Sequence, residues 1–196
     1  MDYLEHILNF EPTGIKVGKG KVLLSEPFLD DFFFKRSVLL LAEHNDEGSF
    51  GVVLNNPTDY KVHEIISDFP EMESRVFLGG PVNTDRLFYL HTHGNMITDS
   101  MELIKGVYWG GDLDQIRSCI RMGLISENEI RFFLGYSGWA GDQLNAELKI
   151  KSWVVSNLVD RDVFNPHPEE LWKQMISRFG DKFSQWLRFP VDPQMN

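Results

Sequence analysis

A serine within a glycine-rich stretch is the first residue whose surroundings suggest chemistry. Residues 135–139 read GYSGW. A predicted strand before them and a predicted helix after them match the context of the G-x-S-x-G nucleophile elbow, which exposes a serine on a tight turn. Trp139 occupies the position where the elbow needs its second glycine, so the motif around Ser137 is incomplete. The sequence therefore assigns no catalytic residue, and a hydrolase is the weakest functional hypothesis.

The glycines of the same stretch suggest binding of an anion. Gly135, Gly138 and Gly141 lie at or before a predicted helix at 140–149, and backbone N–H groups at a helix N-terminus attract negative charge. The alternative is that these glycines only permit positive φ and close packing. A second predicted loop, at 79–82, contains a Gly-Gly-Pro turn. The candidate ligand-binding residues lie in these two loops, 79–82 and 135–142, and directly after the second. They are Gly79, Gly80, Gly135, Ser137, Gly138, Trp139 and Gln143.

Arg36 is a further candidate, because it precedes the apolar core of a predicted strand at 36–44. A buried arginine needs a carboxylate partner, so one prediction is an ion pair at the edge of the sheet, with Glu43 nearby in sequence. The alternative is an anion pocket that Arg36 forms with the turn at 79–81.

Two histidines near the end of another predicted strand could share a metal ion. His91 and His93 are two residues apart, which places both imidazoles on the same face of a strand. The sequence offers no clear third ligand, and the alternative is one packed and one solvated histidine. We therefore assign no metal site and no cofactor.

The predicted elements that must position these residues are mostly strands. Runs at 20–24, 36–44, 50–57, 75–82, 86–93, 101–112, 129–138 and 152–156 have strand character, and a hairpin is expected between the second and third. Helices are predicted at 1–14, 62–69, 112–123, 140–149 and 168–180. Without regular β-α-β alternation, this order predicts an α+β fold with a mixed, largely antiparallel and curved sheet, and helices packed on it.

Composition limits the cellular context. The chain has 196 residues, one cysteine and a formal net charge of −10. The length predicts a single domain, 1–196, with peripheral segments at 1–17 and 181–196. A lone cysteine fits a reducing cytoplasm, and the absence of a long apolar run argues against a membrane protein. The acidic surface argues against direct binding of nucleic acid.

Several motifs in a fixed order resemble the YqgE/AlgH family of bacterial proteins. They are RSVLLLAEHNDEGSFGVVLNNPT at 36–58, LGGPV at 78–82 with LFYLH at 87–91, GYSGWAGDQLNAEL at 135–148, and PHPEELWKQM at 166–175. The resemblance implies a half-barrel sheet and a bacterial cytosolic protein. The family is largely uncharacterised biochemically, although some members are labelled transcriptional regulators. The chain departs from the family pattern at Ser137, Asp142 and Asn145.

Two functional hypotheses therefore precede the hydrolase. The first is a non-catalytic protein that acts through contacts with unidentified protein partners, so that any role in transcription is indirect. The second is a domain that binds an anionic small molecule through the loops at 79–82 and 135–142.

Overall fold

The computed structural model describes residues 13–29, 31 and 33–189 of the protein. The helix predicted at 1–14 lies almost entirely outside these residues. No helix in the described part of the chain is long and apolar enough to cross a membrane.

Ten strands in the described residues form one sheet. In chain order they are β1 (Lys21–Ser25), β2 (Val38–Asn45), β3 (Gly48–Val53), β4 (Pro57–Lys61), β5 (Arg75–Leu78), β6 (Val82–His91), β7 (Met101–Ile104), β8 (Val107–Trp109), β9 (Ile130–Ala140) and β10 (Trp153–Asn157). The run predicted at 101–112 is thus two strands, joined by a turn at Gly106.

Five short α-helices connect these strands or follow them in the described residues. They are α1 (Val62–Ile65), α2 (Leu113–Arg121), α3 (Gln143–Lys149), α4 (Asp160–Val163) and α5 (Leu171–Ser177). Turns of 3-10 helix lie at Pro168–Glu170, Gly180–Phe183 and Trp186–Arg188. Pro168 begins the helical segment as predicted, because its fixed φ and missing N–H suit a first helical position.

The strand order β10-β1-β2-β3-β9-β6-β8-β7 confirms a largely antiparallel sheet. β5 is the exception, since it pairs in parallel with β9 and antiparallel with β4. The predicted hairpin is confirmed in the pairing of β2 with β3, where Leu40 lies opposite Val52.

The sheet curls into a half-barrel around one apolar cluster. Val22 of β1 and Leu103 of β7 belong to this cluster although their strands stand far apart in the strand order. The curl is tight enough that a Cβ atom on Gly20 would lie 2.5 Å from the carbonyl oxygen of Leu103. Trp172, with the other buried residues of α5, packs into the same interior.

β2 is a strand that is buried on both faces, as its continuous apolar run predicts. Leu40 and Ala42 face the interior cluster, whereas Leu39 and Leu41 face a second cluster that α3 covers through Leu144. All four strand residues are fully buried. The two-residue period of the strand distributes a continuous apolar run between two cores.

α2 covers another part of the outer surface. Asp112 accepts hydrogen bonds from the N–H groups of Asp114 (2.8 Å) and Gln115 (3.0 Å), which confirms it as the N-cap. Cys119 packs within the apolar cluster that this helix shares with the sheet, as its position in the sequence predicts. Gly123, at φ +70°, lies just beyond the end of the helix.

Candidate functional site

The prediction of a glycine-rich turn at 135–142 is wrong for most of these residues. β9 continues as a strand through Ala140, with Gly138 opposite Phe50 and Ser137 opposite Gly51 of β3. Only Gly141 and Asp142 turn the chain before α3 begins at Gln143. The hydrogen bonds that β9 forms with its neighbours outweigh the turn tendency of its glycines, so no glycine loop stands before this helix.

The glycines of the two predicted loops nevertheless meet, backbone against backbone. A Cβ on Gly135 would lie 2.5 Å from the carbonyl oxygen of Gly80. A Cβ on Gly79 would overlap the carbonyl oxygen of Gly135. The N–H of Gly79 donates to Leu134 (2.8 Å), and its carbonyl accepts from Val53 (3.0 Å). These glycines allow strands to cross at a distance that excludes side chains.

Ser137 is built into the same crossing. Its side chain is fully buried, and Oγ donates a 3.0 Å hydrogen bond to the carbonyl oxygen of Gly79. A nucleophilic serine needs a base within hydrogen-bond reach and access for substrate. The observed surroundings instead give Ser137 a structural role.

Arg36 lies at a different place from the glycines. Its guanidinium carbon is 5.2 Å from the ring centroid of Trp172, and Nη2 donates to the carbonyl oxygen of Phe189. The amide of Asn55 holds the backbone here, since it donates to the Arg36 carbonyl (2.9 Å) and accepts from the Val38 N–H (2.7 Å). Arg36 lines neither cavity that Gly138 borders, so the structure does not join it to the glycine crossing.

The two histidines do not share a strand face, because β6 ends at His91. Nε2 of His91 is 2.9 Å from the carbonyl oxygen of Gly110, and Nδ1 accepts from the N–H of His93 (3.1 Å). His93 turns toward Glu129, with Nε2 3.2 Å from Oε1. Burial lowers the pKa of His91, and the hydrogen bond to Gly110 opposes this effect. The shared-face geometry predicted for a metal is therefore wrong.

A broad cleft opens where β3, β6 and β9 lie side by side. Its aromatic floor consists of Phe50, Phe88 and Tyr136, whose ring centroids are 6.0 Å (Phe50 to Tyr136) and 5.7 Å (Phe88 to Tyr136) apart. Trp109 supports Phe50 and Phe88 at 5.9 and 5.5 Å. We call this site, with a volume of about 630 Å³, the aromatic cleft.

Of the residues predicted from sequence, Gly138 and Trp139 line the aromatic cleft. Val82, the last residue of the first predicted loop, lines it as well. Gln143 instead borders a smaller cavity of about 300 Å³ beside Trp139. Trp139 and Gln143 both donate hydrogen bonds to the carboxylate of Glu147, at 2.9 and 3.1 Å.

A second polar site surrounds Arg131, a residue that the sequence reasoning missed. Arg131 is 7% exposed, and it lines a cavity of about 210 Å³ together with Arg75. Burial, reinforced by the charge of Arg75, lowers the pKa of Arg131 to about 10, so the side chain is still a cation at neutral pH. An arginine inside the apolar run IRFFL was the signal that could have revealed it.

The curled sheet and its surrounding helices define a mixed α+β half-barrel protein. The chain belongs to the AlgH-like family (DUF179), whose model matches residues 22–184.

Relatives extend over nearly the whole chain. UPF0301 proteins from Cytophaga hutchinsonii and Bacteroides thetaiotaomicron are 40% and 41% identical, covering 91% and 97% of this chain and 98% and 97% of their own. The solution structure of AlgH from Pseudomonas aeruginosa superimposes with a TM-score of 0.71 at 28% identity, over 92% of this chain and 98% of that one. Protein DIP2367 from Corynebacterium diphtheriae has the same fold, with a TM-score of 0.77 at 22% identity over 94% and 98%.

Proposed function

We propose that the protein is a non-catalytic binding module that holds a segment of a partner protein in the aromatic cleft. The observation that carries this proposal is the floor of Phe50, Phe88 and Tyr136, whose rings are only partly buried. Partly exposed aromatic rings in a concave site supply large apolar contact area at a small cost in side-chain entropy. Any effect on transcription is then indirect, through the partner.

The charges at the rim indicate what kind of segment fits. Glu43 and Glu47 line one side of the cleft, and Arg86 and Asn83 line the other. The whole chain carries a formal charge of −10. Complementary charges steer association and select partners, so the expected partner segment carries an apolar side chain for the aromatic floor and a lysine or arginine for the acidic rim.

The hydrolase and a direct role in nucleic-acid binding have less support. Ser137 donates its hydrogen bond to a backbone carbonyl and is closed to substrate. The acidic charge opposes the phosphate contacts on which binding of nucleic acid depends. A cytoplasmic location remains part of the proposal, because it fits a chain with a single cysteine, Cys119, which is buried and forms no disulfide.

The proposal is tested by selecting peptides on the immobilised protein and measuring their affinity by fluorescence anisotropy. We expect selected peptides to combine aromatic or aliphatic residues with a basic residue and to shift the NMR signals of residues that line the cleft, such as Phe50 and Tyr136. Glu47→Lys should weaken binding about 2–5-fold at low salt, because rim charges contribute modestly and are screened by salt.

Glu71→Lys is the matched control, since Glu71 is also exposed and lies outside the aromatic cleft. It should leave the affinity unchanged. Equal loss in both variants, or peptides that bind without perturbing residues of the cleft in NMR spectra, would contradict the proposal.

A further inference from the structure

We propose that the cavity between Arg131 and Arg75 binds a small oxyanion, a carboxylate or a phosphate. We call it the arginine cavity. It shares no lining residue with the aromatic cleft, so it is a separate site and the two proposals can fail independently.

The first support is the position of the Arg131 guanidinium. Arg131 extends from β9 on the same face as Phe133, toward the interior of the half-barrel. Its guanidinium carbon lies 4.4 Å from the ring centroid of Phe77. Nη2 donates to the carbonyl oxygen of Asn165 at 2.8 Å, and Nη1 makes a longer contact of 3.4 Å with that of Leu54. These contacts fix the plane of the side chain.

The second support is an imbalance of charge. Both hydrogen-bond acceptors of Arg131 are neutral carbonyls, and no carboxylate of a described residue forms an ion pair with it. Glu169 is the acid whose negative charge favours the charged form of Arg131. Its carboxylate, however, forms an ion pair with Arg75, with Oε1 3.1 Å from Nη2. A buried cation whose direct hydrogen-bond partners are all neutral is costly, and an anion in the adjoining cavity would offset that cost more fully than the charge of Glu169, which pairs with Arg75.

The third support is the size and chemistry of the cavity. A volume of about 210 Å³ is below the range of roughly 300–1,000 Å³ for drug-sized ligands. Arg131, Arg75 and Asn128 contribute donor groups, whereas Phe77, Phe164 and Pro168 form an apolar wall. The planar fork of a guanidinium matches a carboxylate or phosphate with two parallel hydrogen bonds.

Acidic side chains at the mouth restrict the ligand to a compact one. Glu73 and Glu127 also line the cavity and are exposed to solvent. The Glu73 carboxylate pairs with Lys61 at 2.7 Å. A nucleotide or a long polyanion would meet this rim, whereas a small oxyanion reaches Arg131 without contacting it.

The experiment is a thermal denaturation series on the full chain with inorganic phosphate, acetate and succinate, each compared with sodium chloride at equal ionic strength. At a concentration tenfold above the dissociation constant, a specific ligand should raise Tm by about 3–6 °C, and the rise should continue with the logarithm of the ligand concentration. Stabilisation by phosphate alone identifies a phosphate site, and stabilisation by acetate or succinate alone identifies a carboxylate site.

Two variants connect the effect to this cavity. Arg131→Lys keeps the charge but loses the fork, so the affinity should fall about tenfold or more. Arg75→Gln changes a partly exposed residue, should fold normally, and should weaken binding about threefold or more. Arg117→Gln is the matched control, because Arg117 also stacks on a phenylalanine (Phe69, 5.7 Å) and pairs with an acid (Asp114, 3.1 Å) outside the cavity.

The proposal is overturned if none of the three anions stabilises the wild-type protein beyond sodium chloride. It is also overturned if Arg75→Gln responds to the anion as strongly as wild type and Arg117→Gln do. The second outcome remains decisive if Arg131→Lys does not fold.

Discussion

At the scale of single residues, several buried polar side chains in the described part of the chain form hydrogen bonds with the backbone rather than with other side chains. Ser137, His91 and Arg131 each contact backbone carbonyl oxygens from a distant part of the chain. Such contacts tie strands and loops together and hold each side chain in one orientation. Because each side chain has one defined partner, the effect of substituting it on the free energy of unfolding can be measured for a single contact.

The hydroxyl of Ser137 should contribute modestly to stability. Ser137→Ala removes one neutral hydrogen bond, and the Gly79 carbonyl keeps its bond from Val53. We expect the free energy of unfolding in urea to fall by about 0.5–1.5 kcal/mol, with binding of selected peptides unchanged. Loss of peptide binding in a folded Ser137→Ala protein would show a functional role for the hydroxyl.

His91 should make stability depend on pH. Burial lowers the pKa of His91 below its usual 6.5, so the unfolded chain binds a proton at a higher pH than the folded protein. Stability from this residue is therefore complete above about pH 6.5 and is lost as pH falls toward the folded pKa. In His91→Gln, the loss of unfolding free energy between pH 7.5 and 5.5 should be smaller than in wild type, as measured by urea denaturation. An equal loss in both proteins would refute this assignment.

At the scale of elements, the central feature is the crossing of β9 with the turn that joins β5 to β6. β9 pairs with three other strands, β3, β5 and β6, so it organises the sheet. The register of β6 on β9 shifts between Val82 and Leu87, where Gly135 adopts φ +69°. The irregularity re-aims Tyr136 into the aromatic cleft.

Two glycines with similar backbone angles should respond differently to substitution. Gly106 has φ +78°, and a Cβ there would have no heavy atom within 4 Å, whereas a Cβ on Gly135 would meet the carbonyl oxygens of Gly80 and Val82 at 2.5 and 2.9 Å. Gly106→Ala should cost about 1 kcal/mol of backbone strain. Gly135→Ala should cost about 3 kcal/mol or more, since the overlap adds to that strain. Equal costs in chemical denaturation would show that the crossing is loose.

At the scale of the whole molecule, the segment at 180–189 completes the interior of the half-barrel, although the sequence predicts a peripheral segment from 181 onward. Phe183 and Trp186 are buried, and the Trp186 ring stacks on Trp172 at 6.3 Å with an interplanar angle of 4°. The interior therefore depends on residues that follow the last strand by about thirty positions. Both proposed sites open on surfaces that this core supports.

Removing that contact should destabilise the entire domain. Trp186→Ala should lower the free energy of unfolding by about 3–5 kcal/mol, a large fraction of the roughly 5–15 kcal/mol of a typical domain. The neighbouring exposed residue provides the control, because Gln185→Ala should change stability by less than about 0.5 kcal/mol. A change below about 1 kcal/mol for Trp186→Ala in chemical denaturation would mean that the segment is dispensable for folding.

The sequence alone determined the features that depend on neighbours along the chain. The apolar run of β2, the hairpin to β3 and the Asp112 cap each follow from local spacing and side-chain chemistry. The curl of the sheet was implied by the resemblance of the sequence motifs to the family. The tertiary structure decided the rest: β9 continues through its glycines because strands distant in sequence pair with it, and His91 and His93 diverge because β6 ends between them. Arg131 became a candidate site only when folding placed it in a cavity with Arg75, since burial and charge balance depend on contacts between remote segments.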